Sequence, residues 1–196
     1  MKMKRTFAII FAATLFLNLA AQEKFTDPRD GNTYKTIKVD GVIWMAENLK
    51  YIVAGSGARY FDNDPNNIPS YGILYDWHTA VKACPDGWHL PSGDEFRKLL
   101  DNIEVADNKT SGGSGPVYPG FQLAGMRNYE GVFTEMDESG YYWTSTEYDQ
   151  DDAAFFSYLI INGKTVTDIS RKEDMPDIHG AEKTNKYSVR CVMNEK

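Results

Sequence analysis

Hydrophobic and polar residues alternate at both ends of the chain, the pattern of strands with one buried face. Thr33–Val39 alternates and is rich in β-branched residues, Asp40 and Gly41 suit the two positive-φ positions of a type I′ turn, and Val42–Met45 returns. The sequence therefore predicts an antiparallel hairpin near the start. Further strands are predicted at Tyr141–Thr146, at Phe155–Ile161 and Lys164–Ile169 around an Asn162–Gly163 turn, and at Tyr187–Val192.

Helical spacing of apolar residues occurs twice in the middle of the chain. A short helix is predicted over roughly Tyr75–Ala83, ending before Pro85. The second helix begins with a capping box, in which Ser92 and Glu95 satisfy backbone amides that would otherwise lack acceptors. Its apolar face is predicted to consist of Phe96, Leu99, Leu100 and Ile103.

Segments with the composition of loops separate these elements. Gly55–Ser70 and Arg171–Asn185 are polar, and Val105–Gly140 is Gly-rich and long enough to suggest a functional loop. With strands first, helices in the middle and antiparallel strands last, the pattern predicts one α+β domain with two short helices and long loops.

The first 21 residues have the character of a secretory signal peptide. Lys2, Lys4 and Arg5 precede the apolar run Phe7–Leu17, and small residues lead up to a cleavage site expected near Ala21. The run is shorter than the roughly 20 apolar residues that span a bilayer. We expect a mature domain of residues 22–196 that is secreted, periplasmic or at the cell surface, with no membrane span.

Composition and charge narrow the possible classes of protein. At 42% hydrophobic and 13% aromatic residues the chain is too apolar to be disordered. Its formal charge is −7, and the predicted signal peptide removes three of 21 basic residues and no acidic one, leaving a charge near −10. An acidic surface argues against nucleic acid as a partner.

Cys84 and Cys191 are the only cysteines of the sequence. In an exported protein two cysteines most simply form a disulfide, and closing a loop of about 100 residues is worth roughly 4–5 kcal/mol. The alternative is a reactive thiol, which needs a nearby base or a helix N-terminus.

Motifs for catalysis, metal or cofactor binding are missing from the sequence. His78, His89 and His179 have no zinc-ligand spacing, and neither a nucleophile elbow nor a phosphate-binding loop occurs. The acidic clusters Asp62–Asp64 and Asp149–Asp152 lack EF-hand spacing and are interpreted as solvated loops. The sequence thus predicts no catalytic residue, metal or cofactor. Four carboxylates are candidates for a glycoside-hydrolase pair, which remains an alternative function: Glu135, Asp137, Glu138 and Glu147.

Aromatic residues gather between Tyr141 and Tyr158, beside the long Gly-rich segment. Exposed Tyr and Trp rings suit sugar rings or protein partners. The leading hypothesis is an exported, non-catalytic recognition module for a glycan or surface protein; the alternatives are a carboxylate-dependent glycan hydrolase and a structural surface or fimbria-associated subunit. The candidate ligand-binding residues are Trp143, Glu147, Tyr148 and Asp149.

Four segments together resemble the Fibrobacter succinogenes major paralogous domain. Phe25–Tyr34 with Trp44–Leu49 is similar to the opening of that family, and Cys84–Ser92 to its central motif. Tyr142–Glu147 and Ser188–Val192 are similar to its two closing motifs. The segments occur in the family's order.

This resemblance implies a C-type-lectin-like fold, related to formylglycine-generating-type domains, in an exported bacterial protein. It would place Val105–Gly140 at the ligand-facing loop, with the strand Trp143–Glu147 beside it. The sequence lacks the Glu-Pro-Asn and Trp-Asn-Asp triplets of calcium-dependent sugar binders and the active-site cysteine pair of the oxidases. The resemblance therefore implies neither calcium-bridged binding nor oxidase activity.

Overall fold

A computed structural model describes residues 23–109, 120–161, 164–169 and 180–195. The predicted signal peptide, the Asn162–Gly163 turn and His179 lie outside these residues. The helices are α1 Ile68–Tyr71, α2 Trp77–Ala80 and α3 Gly93–Lys109. The strands are β1 Lys24–Thr26, β2 Thr33–Val39, β3 Val42–Met45, β4 Leu74–Tyr75, β5 Ala124–Arg127, β6 Phe133–Met136, β7 Ser139–Glu147, β8 Asp152–Ile161, β9 Lys164–Ile169, β10 Ala181–Glu182, β11 Tyr187–Ser188 and β12 Val192–Asn194.

The strands and helices form an α+β fold, as the sequence predicts. Among the described residues, four strands make an antiparallel sheet in the order β1-β2-β3-β12. A larger mixed sheet has the order β10-β8-β7-β11-β4, with β9 added on β8 and the β5–β6 hairpin on β7. Strand β11 and strand β5 both run parallel to β7, whereas β8 is antiparallel to it.

The first hairpin has the predicted turn. Asp40 and Gly41 have φ values of 48° and 76°, and the register pairs Val39 with Val42 and Thr36 with Met45. A residue without a Cβ adopts such φ values at little cost, which is why Gly suits the second turn position.

The main helix also begins as predicted. The Ser92 hydroxyl accepts the Glu95 N–H at 3.2 Å, and the Ser92 N–H donates to the Glu95 carboxylate at 2.7 Å. Phe96 and Leu99 are buried, whereas the side chain of Ile103 lies outside the described residues. Helix α3 continues to Lys109, into the segment expected to be irregular.

Both faces of the β7–β8 pair are covered. On one face Tyr142 and Phe156 pack in a cluster with Phe96 of α3, whose ring stacks on Phe156 at 4.8 Å. On the other face Trp143 joins the larger core cluster with Tyr75 and other aromatic residues. The sheet thus lies between two hydrophobic clusters.

Several sequence-based boundaries need correction. The predicted helix Tyr75–Ala83 is a strand at Leu74–Tyr75 followed by one helical turn, because the Asp76 carboxylate caps the Thr79 N–H and starts the helix later. The predicted strand Tyr187–Val192 is two strands in different sheets.

Candidate functional site

Trp143 is a core residue. It is fully buried, its indole N–H donates to the Tyr75 carbonyl at 2.7 Å, and its ring stacks on Tyr187 at 4.4 Å. The prediction that Trp143 contacts a ligand at the surface is therefore wrong. The reason is that both faces of β7 are covered, so alternation along this strand forces no ring into solvent.

Glu147 lies at the end of β7, where Lys183 binds it. The Lys183 ammonium is 2.6 Å from the Glu147 carboxylate and donates to the carbonyl of Gln150 at 2.9 Å and to that of Asp149. The same ammonium lies 4.8 Å from the centre of the Trp77 ring. Lys183 is buried, whereas the Glu147 side chain is 56% exposed. A buried cation with several acceptors holds the turn after β7 in one conformation.

Tyr148 and Asp149 belong to that turn. The Asp149 carboxylate accepts the N–H groups of Asp151 and Asp152, each at 2.9 Å, which is the hydrogen-bonding pattern of an Asx turn. Tyr148 is half-buried. Both residues, as well as Glu147, lie at the surface, but the polar contacts of Glu147 and Asp149 shape the turn.

The two cysteines form the predicted disulfide. Cys84 and Cys191 are bonded, with their Cα atoms 5.7 Å apart. The bond joins the segment after α2 to the segment before β12. Next to it, His89 and Val192 exchange backbone hydrogen bonds of 2.8 and 2.9 Å.

A Ser, a His and a Glu meet at the start of α3 but do not form a catalytic relay. The Glu95 carboxylate binds the Ser92 hydroxyl at 2.9 Å and the His89 ring at 2.8 Å, so each of these side chains contacts the carboxylate. Burial alone would raise the pKa of Glu95, but the hydrogen bonds from Ser92 and His89 lower it. Glu95 stabilises the helix start as an ionised acceptor.

Other candidate chemistry is limited in the described part of the chain. No group of three His, Cys, Asp or Glu side chains within it could hold a metal ion. None of its helices is both long and apolar enough to cross a membrane.

Tyr141 is half-buried and donates to Glu135 at 2.6 Å. Burial, with a further contribution from Glu135, raises the pKa of Tyr141 to about 12.

A groove of about 140 Å³ lies between α3 and the β2–β3 hairpin. Its polar lining includes Asp40, Glu95 and Lys98, and Trp44 is among its apolar lining residues. Pockets for drug-sized ligands are usually about 300–1,000 Å³, so this groove is too small to enclose one sugar chain.

The β5–β6 hairpin, inside the predicted Val105–Gly140 loop, carries an exposed apolar tip. Tyr129 is 60% and Val132 is 50% exposed. The turn is held by backbone hydrogen bonds between Asn128 and Val132 at 2.9 Å and between Gly131 and Asn128 at 2.9 Å. The family resemblance implies a ligand-facing loop here, but it does not single out Tyr129.

Basic residues from three distant parts of the chain meet near this hairpin. We call Arg59, Arg127 and Lys186 the Lys186 cluster. The backbone of Arg59 forms an isolated antiparallel β-bridge with that of Leu74, and the backbone of Arg127 forms one with that of Lys186. Sequence reasoning missed the cluster because the three residues are far apart in the chain and form no motif.

The family model described as the Fibrobacter succinogenes major domain matches residues 37–193. The chain belongs to this family. The match begins inside β2, so the resemblance of Phe25–Tyr34 lies before the matched range. Neither the curated proteins nor the solved structures include a significant match to the chain.

In this Fibrobacter succinogenes major domain, residues of the resembling segments build the interior. Arg190 is fully buried and donates to the Asn48 side chain at 2.8 Å and the Gly120 carbonyl at 3.0 Å. Asn48 in turn donates to the Ser188 hydroxyl at 3.1 Å. These contacts, like the disulfide and the capping box, hold segments of the chain together, so a binding surface is expected outside the motifs.

Proposed function

We propose that the chain is an exported, non-catalytic recognition module that binds a glycan or a surface protein through the tip of the β5–β6 hairpin. The observation that carries the proposal is the exposure of Tyr129 and Val132. Four large hydrophobic side chains in the described residues are at least a third exposed, and two of them share this tip. An exposed aromatic ring with a polar rim suits a sugar ring or a protein surface.

Binding is favoured over hydrolysis by the partners of the candidate carboxylates. Glu135 accepts a hydrogen bond from Tyr141, Asp137 accepts one from Tyr71, and Glu147 pairs with Lys183. A glycoside hydrolase needs one carboxyl group that stays protonated near neutral pH. Glu95, which caps α3 and is not one of the four candidates, has a lowered pKa that does not suit that role.

Export and a lectin-like fold are part of the same proposal. The signal-peptide character of residues 1–21 supports export, and a disulfide is typical of oxidising compartments. The family resemblance supports the lectin-like placement, in which the hairpin would belong to the ligand-facing loop.

A glycan array, run with and without a chelator, tests the proposal. We expect Tyr129→Ala to weaken binding at least about tenfold, because an exposed stacking ring is lost, and we expect the chelator to have no effect. Ile52→Ala is the matched control, since Ile52 is 55% exposed at another site. Equal binding by both variants and the parent protein, or loss of binding in chelator, would contradict the proposal.

A further inference from the structure

Arg127 and Lys186 are direct partners across an antiparallel bridge. The Arg127 N–H donates to the Lys186 carbonyl at 3.1 Å, and the Lys186 N–H donates to the Arg127 carbonyl at 2.8 Å. Side chains directly opposite each other in such a pair lie on the same face, with Cβ atoms about 4.5–5.5 Å apart, and like charges there are destabilising. The fold thus retains a locally unfavourable pair of cations.

The charge of the Lys186 cluster is not balanced by its carboxylate neighbour. Burial lowers the pKa of Lys186, Asp76 opposes this, and Arg127 and Arg59 lower it further. Asp76 lies 3.3 Å from the Lys186 ammonium, and ion pairs of Arg59 or Arg127 are absent from the described residues. Among the described residues the three cations of the cluster therefore share one ion-paired carboxylate, Asp76, which contacts Lys186, in a chain whose formal charge is −7.

The ammonium of Lys186 is held in place and has hydrogen-bond donors that Asp76 does not use. Its side chain is 9% exposed and its Asp76 contact uses one of three N–H donors. Gly57 permits the close backbone approach, since a Cβ there would lie 3.0 Å from the Lys186 ammonium and 3.1 Å from the Asp76 carboxylate. The other Asp76 oxygen accepts the Thr79 N–H at 2.9 Å.

The guanidinium of Arg127 is also positioned by its neighbours. It lies 5.6 Å from the centre of the Phe133 ring, and a Cβ on Gly131 would come within 2.6 Å of it. A guanidinium fixed by an aromatic ring and a glycine backbone loses little freedom when it binds a carboxylate through two N–H groups.

We infer that the Lys186 cluster binds the carboxylate of a uronic acid within a mostly neutral glycan, whose neighbouring sugars contact Tyr129. The acidic surface of the protein repels a dense polyanion, so three clustered cations fit an isolated negative group. The exposed Tyr129 and Val132 on the same hairpin offer apolar contact to adjacent neutral sugars. This inference rests on the proposed function and names the ligand class.

Calorimetric titration with two matched tetrasaccharides tests the inference: one contains a single glucuronic acid, and the other has glucose in its place. We expect the acidic sugar to bind at least about tenfold more tightly. Arg127→Gln and Arg59→Gln should each remove most of this preference, a tenfold loss being equivalent to about 1.4 kcal/mol. Lys24→Gln, at an exposed lysine on β1, is the charge-matched control.

Thermal unfolding of the same variants separates binding from folding. Arg127→Gln should keep or raise the unfolding temperature, because it removes one of two opposed cations, whereas a merely structural arginine would lower it. Arg59→Gln changes an exposed side chain and provides a second test if Arg127→Gln folds poorly.

Three results would overturn the inference. Equal binding of both sugars, weakened by Tyr129→Ala and not by the arginine variants, would overturn it and leave the proposed function intact. A tetraglutamate peptide that binds through the arginines as tightly as the acidic sugar would show that the ligand is an acidic protein segment. Absence of any binding to sugars, peptide or array would overturn both proposals.

Discussion

The disulfide is expected to make a large contribution to the stability of the fold. Cys84 and Cys191 are 107 residues apart, and chain-entropy reasoning assigns about 4.7 kcal/mol to closing a loop of this size. For a domain of this length, 1 kcal/mol corresponds to about 2–4 °C in the unfolding temperature. We therefore expect Cys84→Ala/Cys191→Ala to lower that temperature by roughly 10–20 °C.

Urea unfolding followed by circular dichroism measures this loss directly. The midpoint should fall, and the dependence of the unfolding free energy on urea should steepen, because an unfolded chain without the cross-link exposes more surface. Reductant should reproduce the loss in the parent protein and leave the double variant unchanged, which controls for damage by the substitutions.

A loss below about 1 kcal/mol would refute the reasoning. It would mean that the unfolded chain keeps the α2 and β12 regions together without the bond. The backbone pairing of His89 with Val192 is the contact that could do so, and removing the disulfide would then release little chain entropy.

Three further predictions concern stability. Lys183→Met should cost about 1–3 kcal/mol in urea unfolding, since the carbonyls of Asp149 and Gln150 lose their charged donor; an unchanged midpoint would contradict this role. Hydrogen bonds lower the pKa of Asp76 and of Glu95 against the opposing effect of burial, so their stabilisation is present above about pH 4 and is lost as pH falls below it; a flat stability profile from pH 6 to 3 would be inconsistent with these shifts. Gly41→Ala should cost about 1 kcal/mol, because φ is 76° there and space is not limiting; calorimetry showing no loss would argue against the type I′ turn.

Local signals in the sequence were sufficient for the β2–β3 hairpin and for the start of α3. Each depends on residues within four positions of each other: Asp40 with Gly41, and Ser92 with Glu95. Their hydrogen bonds and φ values are set by neighbouring residues and do not depend on the rest of the chain. Such features can be predicted because no distant contact competes with them.

The β5–β6 hairpin was missed because its strands depend on unusual backbone geometry. Gly125 has a φ of 61° and Glu135 one of 65°. A Cβ on Gly125 would come within 2.2 Å of the Thr134 carbonyl, so the strands approach closely where Gly allows it. Composition alone makes such a segment look like a loop.

Trp143 and the Lys186 cluster show why a site is harder to predict than a fold. The exposure of Trp143 depends on what covers each face of β7, and the covering residues come from elsewhere in the chain. The cluster depends on β11 lying between β4 and β7, which brings positions 59, 127 and 186 to one place. Neither arrangement leaves a local trace in the sequence.

The stability of the scaffold bears on where a binding site can lie. Opposed cations such as Arg127 and Lys186 are destabilising, whereas the disulfide contributes about 4.7 kcal/mol by chain-entropy reasoning. A cross-linked fold can therefore keep an unfavourable pair that an incoming carboxylate would neutralise. If the pair served folding alone, an oppositely charged or neutral partner for Arg127 would be the more stable choice, so retention of two cations at a direct bridge favours a role in binding.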